Sequence, residues 1–179
     1  MENLNLNTIW QGCRAEDKKS QALLYAYFSK KMFVVCLRYA QSTLEAEDIL
    51  QNGFIKVFTK PHLYDGKGSL EGWIKRIMVN TAIESYRRSK DKITDSIQEH
   101  HHNTVHSYFT SDNSSYKDLL QLIKELPLGY KTVFNLYAIE GYSHKEIAEM
   151  LGISEGSSKS QLSRARALLQ QKLIQENTI

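Results

Sequence analysis

Proline is nearly missing from this sequence, with two in 179 residues. So few helix breakers, and so few alternating β-branched runs, point away from sandwiches and barrels and toward helices. Cysteine is as scarce, at Cys13 and Cys36 alone. Two thiols fit no metal-ligand spacing and build no disulfide framework, so they read as reduced thiols of a cytoplasmic protein. No apolar run approaches the ~18 residues of a membrane span. The opening "MENLNLNTIWQGCRAEDKK" lacks a basic stretch leading into a long apolar core, so no signal peptide is expected. The marks of an enzyme are absent too: no Ser/His/Asp set, no paired acids in a pocket-like context, no phosphate-cradling glycine loop. The expectation is a protein that performs no covalent chemistry and needs no cofactor, metal or small-molecule substrate.

What is present is ordinary in amount and uneven in placement. Hydrophobic residues make up 41% and charged residues 24%, normal for a globular chain. The net charge of +3 decides little, but its distribution decides more. Residues 56–92 carry nine basic side chains against four acidic, and residues 154–172 carry four against one. The intervening stretch 93–140 is acidic, with three against six. A solvated face explains either basic region alone; two on one chain suggest two contacts with a polyanion.

The pattern along the chain predicts an all-α protein of two small helical domains joined by a flexible linker, the C-terminal domain a helix-turn-helix. The first domain spans about 5–88. Residues 21–40 read as a buried helix with a second start near Ser29. Residues 44–59 repeat apolar positions at Leu50, Phe54, Val57 and Phe58, and Pro61 ends that helix. After the glycine-punctuated "YDGKGSLEG", helical period returns from Leu70 to Arg88 through Trp73, Ile77 and Met78. Residues 89–116 are polar, rich in Ser, Asn and His, and without period, so they read as linker. About 28 such residues reach about 90 Å extended, enough to span two turns of DNA, about 70 Å. His100, His101, His102 and His106 in it lack a carboxylate or cysteine at metal spacing, and read as solvated. Residues 117–179 form the second domain.

Within it, "GYSHKEIAEMLGISEGSSKSQLSRARALL" holds two amphipathic segments around Gly152. Ser143 and Glu146 stand three apart, as in a capping box. Gly152 supplies the positive φ that closes a helix, Ile153 plugs the hairpin, and Ser154 caps the helix that follows. There Leu162, Ala165 and Leu169 share one face. The other presents Ser157, Lys159, Ser160, Ser163, Arg164 and Arg166, hydroxyls and cations of the kind that meet phosphates and base edges. A merely solvated hairpin face carries paired Glu and Lys; this one has a single acid, Glu155.

"ELPLGYKTVFNLYAIEGYSHKEIAEMLGISEGSSKSQLSRARALL" resembles the −35-reading region of bacterial RNA polymerase sigma factors of the extracytoplasmic-function type. "AEDILQNGFIKVF" and "GSLEGWIKRIMVNTAIESYRR" resemble that family's core-binding and −10-reading region. The resemblance covers about residues 20–90 and 117–172, in the family's order. It implies core RNA polymerase and promoter DNA as partners, and commonly an anti-sigma protein. Its polymerase-docking motif falls on Asp48, Gln51 and Phe54. The residues themselves place Phe54 in the core and offer Asp48, Gln51, Asn52 and Lys56 as a polar outer face. The −10 region falls on the loop from Tyr64 to Gly72, with Lys67, and on the helix bearing Trp73, Arg76, Asn80, Arg87 and Arg88. Trp73 alone reads more readily as a core tryptophan; the row of aromatic, cations and amide suits a melted strand. Acids often stand where Asn52 and Gly53 lie, Glu84 replaces the usual aspartate, and Ser163 a bulkier residue. A dimeric helix-turn-helix regulator is the alternative, but it leaves the first domain's two faces without a role. A recombinase-like enzyme needs a nucleophile or an acidic metal cluster.

Overall fold

The computed structural model describes residues 5–95 and 121–176. The chain divides into two compact units. All regular structure among the described residues is helical. Most of the expected linker, with its four histidines, lies outside them.

The first unit begins with a helix that the periodicity did not announce, α1 (Leu6–Arg14). Asn5 caps it by accepting from the amides of Asn7 and Thr8. Ile9, Trp10 and Cys13 form its buried side. Next, α2 (Lys18–Leu37) is one continuous helix, without a second start at Ser29. Asp17 caps it, its carboxylate accepting from the Ser20 amide at 2.8 Å and the Ser20 hydroxyl at 2.7 Å. Leu24, Phe28, Met32 and Val35 run down its inner face, each contributing about 1.5–3 kcal/mol through burial.

The third helix, α3 (Thr43–Thr59), starts at the Ser42 cap. A short 3₁₀ turn at Pro61–Leu63 and the loop 64–69 lead into α4 (Leu70–Asp95). This last helix runs seven residues past Arg88, where the linker was expected to begin. "SKDKITD" is polar but holds no glycine or proline, so nothing in it stops a helix. Between α2 and α4, α3 buries Ile49, Leu50, Phe54 and Val57. Phe54 is core as expected, its ring 4.7 Å from that of Tyr25 on α2. Gly53 makes the close approach possible: a Cβ there would stand 2.2 Å from Met78 Sδ. Both cysteines are free and buried. Burial, with Asp17 nearby, pushes the Cys13 thiol up to about 11. Burial pushes Cys36 up to about 12. Both stay protonated at neutral pH and are poor nucleophiles.

In the second unit a helical end at 121–124 precedes Pro127. Then come α5 (Leu128–Phe134), a widened π-helical turn at Asn135–Ile139, α6 (His144–Leu151) and α7 (Glu155–Glu176). Leu122, Ile123 and Leu126 pack with Ala165 and Leu169 of α7 in one core. The Lys172 ammonium donates to the Glu125 carboxylate across that core's edge.

The hairpin of α6 and α7 is built as its sequence reads. The Ser143–Glu146 capping box is complete, and the Ser154 hydroxyl accepts from the Ser157 amide at 3.0 Å. Gly152 has φ 63° and ψ 42°, and nothing lies within 4 Å of where its Cβ would be. Its cost to substitution is therefore purely conformational. Gly152→Ala is expected to lose about 1–2 kcal/mol and Gly152→Asn less, because asparagine tolerates that backbone. Urea titrations check the order; equal losses for both would contradict it.

Candidate nucleic-acid interface

The exposed face of α7 begins at its amino end, where Gly156 presents no side chain and Ser157 is half-buried. Lys159, Ser160, Ser163, Arg164 and Arg166 are all exposed. At about 100° per residue, Ser160 and Ser163 lie along the middle of that face, with Arg164 at one edge and Lys159 and Arg166 together at the other. Four of these five, Lys159, Ser160, Arg164 and Arg166, have a local partner. The Lys159 ammonium meets the Glu155 carboxylate at 2.7 Å. Hydrogen bonding from Lys159, and its charge, hold the Glu155 carboxyl below its ordinary value, with His144 and Lys145 adding to the effect. The Ser160 hydroxyl donates to the Ser157 carbonyl at 3.0 Å. An Arg164 N–H donates to the Tyr130 hydroxyl at 3.3 Å, and the Arg166 guanidinium lies 5.7 Å from the Tyr137 ring centre.

Tyr137 in turn stacks on His144, with centres 4.6 Å apart and planes 22° from parallel. His144 Nδ1 lies 2.9 Å from the hydroxyl of Ser158, which is fully buried on the inner side of α7. One edge of this exposed face is thus tied back through α6 to the first turn of the same helix. The sequence reading missed Tyr130, Tyr137, His144 and Ser158. Each stands on a separate turn or helix, and no spacing rule joins them.

In the first unit, Arg76, Asn80, Arg87 and Arg88 are exposed along α4. Trp73 is half-buried within a cluster of three rings. It meets Trp10 of α1 at 5.4 Å and Tyr64 at 5.5 Å, while Trp10 and Tyr64 meet at 5.7 Å. The core reading of Trp73 therefore accounts for most of its surface, and the ring ties α1 and the 64–69 loop to the start of α4. The loop is itself organised. The Tyr64 hydroxyl donates to the Gly68 carbonyl at 2.9 Å, and Asp65 accepts from the Lys67 amide at 2.9 Å. Gly66 and Gly68 have φ of 79° and 78°. That turn holds Lys67 out in solvent beside Arg76's helix, 3.7 Å from the Asp65 carboxylate.

The four residues expected to form one face of α3 divide. Asp48 and Asn52 line a cleft of about 280 Å³ against α4, with Glu45, Ser85 and Arg88. Gln51 lines a separate groove of about 360 Å³ against α2, with Tyr25, Lys30 and Phe33. Lys56 is turned to α4, its ammonium donating to Glu84 at 2.6 Å and Thr81 at 3.1 Å. Unannounced by the motif, Leu44 and Ile55 are 69% and 58% exposed. Leu44 stands one turn before Asp48 and Ile55 one turn after Gln51, on the same strip.

Fold and faces together define a helical DNA-reading protein with a helix-turn-helix and a second, independent basic face. Residues 24–92 match sigma-70 region 2 and residues 116–169 match sigma-70, region 4. The ECF RNA polymerase sigma-E factor of Haemophilus influenzae is 27% identical over 184 residues, covering 96% of this chain and 97% of that one. The RNA polymerase sigma factor SigZ of Bacillus subtilis is 33% identical over 129 residues, covering 71% and 72%. Among solved structures, the Bartonella quintana sigma factor RpoE, in complex with the anti-sigma factor NepR, aligns with a TM-score of 0.57 at 20% identity. It covers 85% of this chain and 95% of that chain, and shares the fold. The chain belongs to the sigma-70 family of RNA polymerase sigma factors, and to its extracytoplasmic-function (ECF) type.

Proposed function

We propose that this chain binds core RNA polymerase, directs it to promoters through two DNA contacts, and assists opening at the −10 element. The observation that carries the reading is the presence of two differently built cationic faces, one in each unit. The α7 face is narrow, tethered and suited to a duplex groove. The α4 face stands beside an ordered glycine loop and joins cations to an exposed amide, the set that a single strand needs. Core polymerase docks on the α3 strip of Asp48, Gln51 and Asn52, extended by Leu44 and Ile55, whose exposure is that of a surface awaiting a partner. Lys67, Arg76, Asn80, Arg87 and Arg88 contact −10 DNA, and Ser157, Lys159, Ser160, Ser163, Arg164 and Arg166 contact −35 DNA. Trp73 supports the first set by holding the loop.

Opening on this reading is capture without covalent chemistry: bases that unstack are bound, which offsets an unpairing cost of a few kcal/mol each. An anti-sigma protein belongs among its partners. No helix among the described residues is long and apolar enough to cross a membrane, and a cytoplasmic setting accords with the proposed task.

The test compares DNA binding by the free chain and by its mixture with core polymerase. The proposal expects weak, unselective binding alone and selective binding with core. Tight binding to a palindrome by the free chain would turn the case toward a dimeric regulator. Within the selective complex, Arg164→Ala is expected to cost about 1–3 kcal/mol and to relax preference at one −35 position. An unchanged preference, measured by competition among single-base variants, would remove that role.

A further inference from the structure

Lys56 stands in the polymerase-docking helix but does not face with the docking strip. At about 100° per residue it is rotated roughly 80° from Asp48, toward α4. Its ammonium has two acceptors there, Glu84 Oε2 at 2.6 Å and Thr81 Oγ1 at 3.1 Å. Thr81 is buried, and its hydroxyl donates to the Ile77 carbonyl at 2.8 Å, so the ammonium's seat is fixed. Glu84 is exposed and belongs to the strand-facing row of α4, one turn beyond Asn80 and one turn before Arg87 and Arg88. It is the acid of that row, where a phosphate backbone is to lie.

We infer that Lys56 is a positioning residue of the strand-capture face: it neutralises Glu84 and keeps that carboxylate from repelling the DNA or capturing the arginines that hold it. This rests on the proposed −10 role of α4. Without Lys56, the carboxylate has Arg87 and Arg88 at three and four residues, the spacings at which helix side chains pair. Bound there, it would withdraw a cation from the strand; unbound, it would present a bare negative charge. Either way the face loses about one effective charge. Lys56 thus links the helix that docks on polymerase to the helix that holds the strand, by an ion pair instead of a contact with either ligand.

The experiment uses full-length chain reconstituted with core polymerase. The DNA is the promoter that the wild-type holoenzyme selects from a fragment library, in duplex and pre-melted forms. Lys56→Met is expected to lower opening of the duplex about three- to fivefold, and to reduce the salt dependence of binding by about one phosphate contact. Core affinity stays unchanged. Adding Glu84→Gln to Lys56→Met restores both opening and salt slope, whereas a purely structural pair would leave the double variant as impaired as the single one. Glu84→Gln alone, which keeps Lys56 on Thr81, opens the promoter at least as well as wild type and supplies a second arm if Lys56→Met folds poorly. Loss of core affinity in Lys56→Met, undiminished opening, failure of the rescue, or impaired opening by Glu84→Gln alone would each overturn the inference. Failure of the wild-type chain to bind core or select a promoter is a different result, and overturns the underlying function with it.

Discussion

Replacing Arg76 and Asn80 together with alanine is expected to cut opening of a duplex promoter by roughly thirtyfold or more, from two contacts worth about 1–3 kcal/mol each. Both side chains are exposed and one turn apart on α4. Neither supports the core, which on α4 is carried by Ile74, Met78, Val79 and Ala82. Core affinity is therefore expected to hold, as is thermal stability. Run-off transcription on duplex and pre-melted templates separates the steps. On the pre-melted template the unpairing cost is already met, so the variant recovers a large part of its activity. Equal impairment on both templates would count against strand capture by this face.

The second large effect is on the fold. Gly53→Leu is expected to destabilise the first unit by about 3 kcal/mol, the upper part of the overpacking range. The added Cβ alone would meet Met78 Sδ at 2.2 Å and its methyl at 2.8 Å. Gly53→Ala asks less, because the atoms it meets are the far end of a flexible side chain. Removing a helical glycine also returns about 0.5–1 kcal/mol. The larger side chain leaves α3 and α4 no way to stay as close, and the Lys56 bonds to Thr81 and Glu84 stretch with them. Loss of a few kcal/mol is a large share of a small domain's stability. Guanidinium titration of both variants checks the order; a Gly53→Leu protein as stable as wild type would mean that α3 and α4 do not pack through this position.

Much of this was legible in the residues because the signals were local. The Ser143–Glu146 box, Gly152 and the Ser154 cap each complete within four residues, and the structure realises all three. Phe54 was legible as core because its apolar neighbours repeat at three and four. The first helix shows why short elements escape. Asn5 is a good cap and Ile9, Trp10 and Cys13 are helically spaced, yet nine residues carry too little period to stand out. Trp73's environment was not legible because its two partners come from α1 and a loop, 63 and nine positions away, and only tertiary structure brings them within ring contact. Lys56 misled for a different reason. Spacings of three, four and eight look like one face, but eight residues at 3.6 per turn drift far enough to move a side chain from an outer strip to an interhelical seat.

The central claim is tested most directly by run-off transcription from a promoter-fragment library, using purified chain and bacterial core RNA polymerase lacking any other sigma factor. The account predicts defined transcripts from a small set of fragments sharing a −35 and a −10 element, with none from core alone. Stable DNA recognition by the free chain, with no core-dependent transcript from any fragment, would contradict it.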